Sequence, residues 1–482
     1  MRPHSRNWLL APLFLSLVGC NESEVSASGK VLPQGPARRV ILVTCDTLRA
    51  DHLSCYGYDR PTSPRIDAFA AESLLFTSAW SAAPLTMPAL SSLLSGRLPD
   101  EVGATPGNQD LMPSTARTLA EVVRDAGFDT AAFVANSVLC RVSAEEGDVG
   151  IQQGFAHFDD NMTGKSTEHA AHERSSADTT TATLKWIEAR RDSEDRFFLW
   201  VHYMDPHGPY TPSPADLALF ARDHSSEQDM PVTSDFGAAG AIPNYQLVGN
   251  ERKPGQYVDR YDAEIHGVDA EFGRLMDGLR DKGWLDDSLV IFTSDHGESL
   301  GEGNRWFSHG DSLQRELVHV PMIVRPPQAL RETVLPDGGG RRSGKLVAHL
   351  DVWPTVLESL DVDGPLNQGL SMLHASLPQG RIATSYFGRV DTARRVISIC
   401  DGRWRLVTIG PNFPLLYDLA SDPRETKNVV LQYPLIMERL QTSFTEMGKN
   451  APPQQLEGQK RRMDERTRGH LGALGYTGGE PR

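Results

Sequence analysis

The sequence predicts an α/β protein, with a large, mostly parallel sheet flanked by helices and a smaller antiparallel sheet after it. Three observations carry this expectation. Short, continuously apolar runs recur along the chain, helix-like stretches lie between them, and beyond about residue 340 the pattern changes to hairpin-like pairs. Continuous rather than alternating hydrophobicity marks strands covered on both faces. Alternation of such strands with helices places helices on both sides of the sheet. A chain of 482 residues is long enough for a large core or for two unequal domains. Hydrophobic residues at 39% and charged residues at 23% are ordinary for a globular protein. The net charge of −15 argues against a nucleic-acid partner, whose phosphates would be repelled.

The first element is not part of the fold. "MRPHSRNWLLAPLFLSLVGC", residues 1–20, places Arg2 and Arg6 before an apolar run too short to span a bilayer, as a signal peptide does. It ends in Leu17-Val18-Gly19-Cys20, which resembles the bacterial lipobox, so Cys20 is the expected lipidation site. A lipid anchor in the cell envelope follows, with outer-membrane sorting towards the periplasm or cell surface. Residues 21–37 read as a flexible tether. The remaining cysteines, Cys45, Cys55, Cys140 and Cys400, show neither CxxC pairing nor zinc spacing and are expected as free thiols.

The strands come next, in the order "RVILVTCD", "TAAFVAN", "RFFLWVHYMD", "SLVIFTSD" and "HVPMIVR", all expected to be parallel. Among the helices, "YDAEIHGVDAEFGRLMDGLRDKG" repeats apolar residues at Ile265, Val268, Phe272, Leu275, Met276 and Leu279. Residues 160–182 and 213–256 are polar and read as mobile insertions. A main domain over 38–335, a smaller subdomain over 336–452 containing the hairpin "RRVISICDGRWRLVTIG", and a polar tail over 453–482 complete the organisation.

Two strands finish in acid, at Asp46 and at Asp295, with His296 following at once. Ligands of open parallel sheets bind beyond the carboxyl ends of the strands, so these groups can converge on a divalent cation there. In "TMPALSSLLSG", Thr86 suits a helix N-cap, with Pro88 in the first turn and Gly96 just past the end. A helix start offers free N–H groups and a positive dipole end to an oxyanion. A hydroxyl held there against a cation can attack phosphorus or sulfur.

The segments "DTLRADHLSCYGYDRPTSPRIDAFA", "FFLWVHYMDPHGPYTP", "YDAEIHGVDAEFGRLMDGL", "FTSDHGESLGEG" and "LYDLASDPRETKNV" occur in the order of a known family. Through them the chain resembles the sulfatases of the alkaline phosphatase superfamily, over nearly everything after the tether. The resemblance implies an alkaline-phosphatase-like sandwich and a hydrolase of sulfuric or phosphoric esters. It puts Asp46, Thr86, Asp295 and His296 on metal-ligand positions, and His207 and His309 on catalytic, substrate-contacting ones. Asn136 falls near a substrate-contacting lysine. One divalent ion is implied: calcium as in sulfatases, or zinc or manganese as in related transferases. The expected partner is an anionic sulfated or phosphorylated ester. His202 and His266 are expected to hydrogen-bond within the scaffold.

The chain departs from the family at three places. Thr47 stands where a second adjacent acid is common. Sulfatases mature a Cys or Ser in a C/S-x-P-x-R motif to formylglycine; here the motif reads Thr86-x-Pro88-x-Leu90. Threonine carries a methyl on Cβ, so its oxidation gives no aldehyde. Transferases of the superfamily use a metal-bound threonine directly, which implies that Thr86 is itself the nucleophile. Two rival readings remain, a non-catalytic binding protein with this fold and a phosphoryl-group transferase.

Overall fold

The computed structural model describes residues 35–449, apart from 104–109, 142–149, 163–172, 191–194, 235–238, 375–377, 389–394, 411–412 and positions 337, 366 and 379, together with 456 and 459–460. The expected signal peptide, Cys20, most of the tether and most of the tail lie outside the described residues.

Eight strands form the main sheet: β1 (Arg39–Cys45), β2 (Leu74–Trp80), β3 (Asp129–Val134), β4 (His157–Asp159), β5 (Phe197–Tyr203), β6 (Ser288–Ser294), β7 (Met322–Arg325) and β8 (Arg341–Ala348). Their order is β8-β2-β7-β6-β1-β5-β3-β4. The alternation of side chains explains the unbroken apolar runs. Val40 and Leu42 of β1 enter one core cluster, while Ile41, Val43 and Cys45 enter the other, on the opposite face. The same division holds in β5 and β6, where Trp200 and Ile291 face one core and Val201 and Phe292 the other.

One strand corrects the expectation of an all-parallel set. β7, from "HVPMIVR", runs antiparallel to both β6 and β2. Burial on two faces gives parallel and antiparallel strands the same composition, so the pattern does not report direction.

Helices cover both faces. On one side lie α1 (Pro64–Ala70) and, further along the chain, the 28-residue α6 (Pro254–Asp281), whose Ile265, Val268, Phe272, Leu275, Met276 and Leu279 are buried as their spacing predicts. On the other side α2 (Thr86–Ser95) and α3 (Leu119–Asp125) join the core through Leu90, Leu93, Leu94 and Leu119. Each such leucine contributes roughly 1.5–3 kcal/mol of burial. Gly96 ends α2 in the left-handed region at φ 65°, as expected of a residue after a helix.

Residues 163–172 and 235–238 of the two polar stretches lie outside the described residues, and the described parts of each contain a helix. Within 160–182, helix α4 begins at Ser176 and runs to Glu188. Ser175 caps it by accepting from Asp178 N–H, and Thr179 and Thr183 turn their hydroxyls back onto carbonyls four residues earlier. Within 213–256 lies α5 (Pro214–Phe220), which the His266–Asp216 contact of 2.7 Å ties to α6. His266 therefore has the scaffold role expected of it.

The second sheet is an antiparallel meander of β9 (Ala383–Phe387), β10 (Val396–Cys400), β11 (Trp404–Ile409) and β12 (Phe413–Asp418). The expected hairpin is β10–β11. The boundary drawn at 336 is displaced: β8 pairs with β2 in the main sheet, and the following helix α7 (Val352–Leu360) buries Val352, Trp353 and Val356 in the main core. The smaller unit thus begins beyond α7; α8 (Pro434–Lys449) packs on it through Leu440. All four described cysteines are free thiols. Among the described residues no helix is long and apolar enough to cross a membrane.

Candidate active site

Strand register brings the acids together. β1 is flanked by β6 and β5, with Cys45 level with Ser294 on one side and Tyr203 on the other. The next residues, Asp46 and Asp295, therefore leave the sheet side by side at its carboxyl edge. Both are fully buried, as are His296, His202 and Thr86.

Asp295 is held by its own turn. Its Oδ1 accepts from the backbone N–H of His296 at 2.7 Å and of Thr47 at 3.2 Å. Thr47 reaches this position with φ 55°, unusual for a β-branched residue, and its carbonyl accepts from Tyr261 at 2.7 Å. The residue standing in place of a second acid thus serves as a backbone donor to Asp295. Asp46 Oδ2 accepts from Asn136 Nδ2 at 2.6 Å. Asn136, placed near a substrate-contacting lysine by resemblance, spends this N–H on orienting Asp46.

The remaining carboxylate oxygens, Asp46 Oδ1 and Asp295 Oδ2, are buried without a hydrogen-bond partner. His296 Nδ1 lies 2.9 Å from the carbonyl of Gly297, which can only accept. Nδ1 therefore carries the proton and Nε2 presents its lone pair. That nitrogen is 3.4 Å from Thr86 Oγ1, 3.5 Å from Asp295 Oδ2 and 3.7 Å from Asp46 Oδ1. Two donors about 2.1 Å from one cation at a tetrahedral angle lie roughly 3.4 Å apart. His296 Nε2 thus stands at about the spacing of a co-ligand from each of the other three atoms.

The placement of Thr86 explains its availability. The helix N-cap is Leu85, one residue earlier than the sequence predicts, and Thr86 is the first helical residue. Its hydroxyl is directed at His296. The preceding segment is anchored by Ser81, whose hydroxyl donates to the Asp295 carbonyl at 2.5 Å. Leu90, where the family motif has arginine, is buried in the main core, away from these donors.

His202 makes the scaffold hydrogen bond expected of it and turns its second nitrogen towards Asp46. Its Nδ1 contacts Thr44 Oγ1 at 2.8 Å, an oxygen that also accepts from Trp200 Nε1 at 3.0 Å. Its Nε2 lies 3.4 Å from Asp46 Oδ2 and has no hydrogen-bond partner. Donor atoms of Asp46, His202 and Asp295 all lie within 4.8 Å of one another. An imidazole inside an apolar strand reads as a packed core residue; only its level beside Thr44 and Asp46 reveals it.

Two further histidines close the site. His207 rests on the Gly208 carbonyl through Nδ1 at 2.7 Å. His309 lies with its ring centroid 5.0 Å from His207 and 4.7 Å from His296. Its loop packs against the start of α2: a Cβ on Gly310 would sit 2.4 Å from Leu85 Cδ2. Sequence reasoning missed Glu298, which is buried beneath His309; its Oε1 is 3.2 Å from His309 Nδ1, and its Oε2 accepts from Tyr210 at 3.2 Å.

Burial opposes ionisation of Asp46, but His202 and the neighbouring imidazoles outweigh it and hold this carboxyl below its usual range. Burial and the Asp46 charge push Asp295 well above it. Burial pulls His296 down to about 3 and His309 down to about 4, and pushes Glu298 up to about 8. A cation removes the conflict between the two acids and needs the neutral imidazole that burial enforces.

The sulfatase family model matches residues 38–362. N-acetylglucosamine-6-O-sulfatase of Bacteroides thetaiotaomicron is 22% identical over 510 aligned residues, covering 87% of this chain and 86% of its own. The phosphonate monoester hydrolase of Agrobacterium radiobacter superposes with a TM-score of 0.67 at 20% identity, over 88% of this chain and 100% of that one. BT4656, solved with its substrate D-glucosamine-2-N,6-O-disulfate, gives a TM-score of 0.67 at 21% identity, over 86% and 98%. With both the fold and the matched segment spanning the main domain and its site, the chain belongs to the sulfatase family of the alkaline phosphatase superfamily and is an ester-hydrolysing enzyme.

Proposed function

We propose that the protein is a metal-dependent hydrolase of phosphoric and sulfuric esters in which Thr86 is the nucleophile. The observation that carries this reading is the grouping of Thr86 Oγ1, Asp46 Oδ1 and Asp295 Oδ2 around His296 Nε2 at 3.4–3.7 Å. Asp46, Asp295, His296 and Thr86 would hold one divalent cation, with His202 a further nitrogen donor. A ligand set containing imidazole favours zinc over calcium, while the carboxylates also suit manganese. When bound, that ion would offset charge on the anionic ester and lower the proton affinity of the threonine hydroxyl.

The chain's own groups supply the rest. Thr86 gives up its hydroxyl proton to solvent, its Oγ attacks phosphorus or sulfur, the bond to the leaving oxygen breaks, and His309 gives that oxygen a proton. The product is an alcohol and a phosphorylated or sulfated threonine. Neutral His207, with Nδ1 on the Gly208 carbonyl, offers Nε2 to take a proton from the water that releases the group. Named relatives and neighbours act on sulfate esters and a phosphonate monoester, which supports an anionic ester as substrate. The absence of an oxidisable Cys or Ser at position 86 supports phosphoric esters ahead of sulfuric ones.

The test is mass spectrometry of the peptide spanning Thr86 after acid quench of the metal-loaded enzyme with aryl phosphate or sulfate. A mass gain of one phosphoryl or sulfuryl group on Thr86 is expected; turnover with no such adduct in rapid-quench samples overturns the reading. We also propose, from the Leu17–Cys20 motif, that Cys20 is acylated and holds the enzyme in the cell envelope. Cys20→Ser is then expected to move the protein from the membrane fraction to the soluble one, and an unchanged distribution contradicts the anchor.

A further inference from the structure

We infer that Glu298 is a positioning residue for His309, fixing Nδ1 of the imidazole so that Nε2 is presented to the reacting ester. This rests on the role given to His309 in the proposed function. Glu298 lies three residues after Asp295 and is fully buried, yet none of the chemistry assigned above uses it.

The geometry leaves its carboxyl one task. Oε2 is occupied by the Tyr210 hydroxyl at 3.2 Å, and Tyr210 is itself buried against Tyr261 and Phe307. Oε1 faces His309 Nδ1 at 3.2 Å. In the form that donates to the ester, the Glu298 carboxyl gives its hydrogen bond to Nδ1, and the neutral imidazole carries its own proton on Nε2. Nε2, across the ring, is then the atom available for proton exchange. Packing against His207 and His296 holds the buried ring in place, and the Glu298 contact selects which of its nitrogens carries the proton. The Glu298 backbone is fixed as well, its carbonyl accepting from Arg49 Nη1 at 3.1 Å.

During ester cleavage the electron pair of the breaking bond goes to the leaving oxygen, and the proton on Nε2 follows it. The proton returns to the histidine pair from the water that attacks in the second half. Glu298 gains and loses nothing over the cycle. Loss of an outer partner of this kind lowers activity by about 10–100-fold.

The experiment is a double-mutant cycle on the metal-loaded full chain with an aryl phosphate. Glu298→Ala is expected to lower kcat by about 10–100-fold, at unchanged metal content and melting temperature. In a His309→Ala background the same change is expected to alter kcat by less than about threefold. Glu298→Gln, whose amide can either accept from or donate to Nδ1, is expected to recover most of the loss. If Glu298→Ala does not fold, Glu298→Met removes the hydrogen bond at similar volume and takes its place in the cycle. Equal losses in both backgrounds, an undiminished kcat, or a glutamine as impaired as alanine would overturn the inference. Thr86 adduct formation in the native enzyme is read separately, so failure here does not merge with failure of the nucleophile assignment.

Discussion

Replacing Thr86 with alanine is expected to reduce ester turnover by at least about 10³-fold, with little change in stability. The cap position is Leu85, and no side-chain capping hydrogen bond is made there. The Thr86 hydroxyl lies 3.4 Å from His296 Nε2. Loss of a nucleophile removes the covalent route altogether and leaves only binding and electrostatics to catalyse the reaction, which sets the large magnitude. Initial rates of the purified, metal-loaded variant on aryl phosphate and aryl sulfate measure it. A variant as active as the native enzyme would assign the attack to water and reduce Thr86 to a bystander. Serine in the same place retains a hydroxyl and is expected to stay within about 100-fold of the native rate.

The second large effect is on metal and stability together. Asp295→Asn is expected to abolish specific uptake of one zinc or manganese ion while making the metal-free protein more stable. The sign follows from the two acids. In the metal-free fold, burial and the Asp46 charge raise the Asp295 pKa above its unfolded value. A raised carboxyl contributes stability below the unfolded value and loses it as pH rises through the folded one. The metal-free native protein is therefore expected to weaken from about pH 4 upward relative to the asparagine variant, whose amide does not titrate. Metal reverses the order. At 100 times its Kd a ligand adds about 2.7 kcal/mol, and the variant forfeits this. Thermal unfolding with and without added zinc, followed from pH 5 to 8, reads both effects. Equal metal-induced shifts in the two proteins would remove Asp295 from the ligand set.

Much of this arrangement is legible in the chain because strand ends are legible. An apolar run that stops at an acid names the residue at the carboxyl edge, and Asp46 and Asp295 were found that way. That they are neighbours depends on β1 lying beside β6, which no local pattern states. Thr86 was legible through motif order and helix-start chemistry, within one residue of its place. His202 was not, because a histidine in "FFLWVHYMD" looks the same whether its second nitrogen meets solvent, a carbonyl or a carboxylate. Glu298 was hidden for a related reason: an acid in a turn normally faces water. The antiparallel direction of β7 and the inclusion of β8 in the main sheet were likewise invisible, since hydrophobicity records burial and not the direction of the chain. The helix at Ser176 is hidden because its buried face is mostly threonine: Thr179 and Thr183 bond their own helix, and Thr180 bonds the Tyr203 hydroxyl.

His202 stands on β5, and Asp46 and Asp295 directly follow its neighbours β1 and β6, so the backbone ladder sets their spacing. Selectivity for one ester over another must then be written elsewhere, in segments such as 213–256 that touch the His309 loop through Tyr245 and Gln246. A change in those segments leaves the ladder-set carboxylates in place and reaches the chemistry only through the seating of His309.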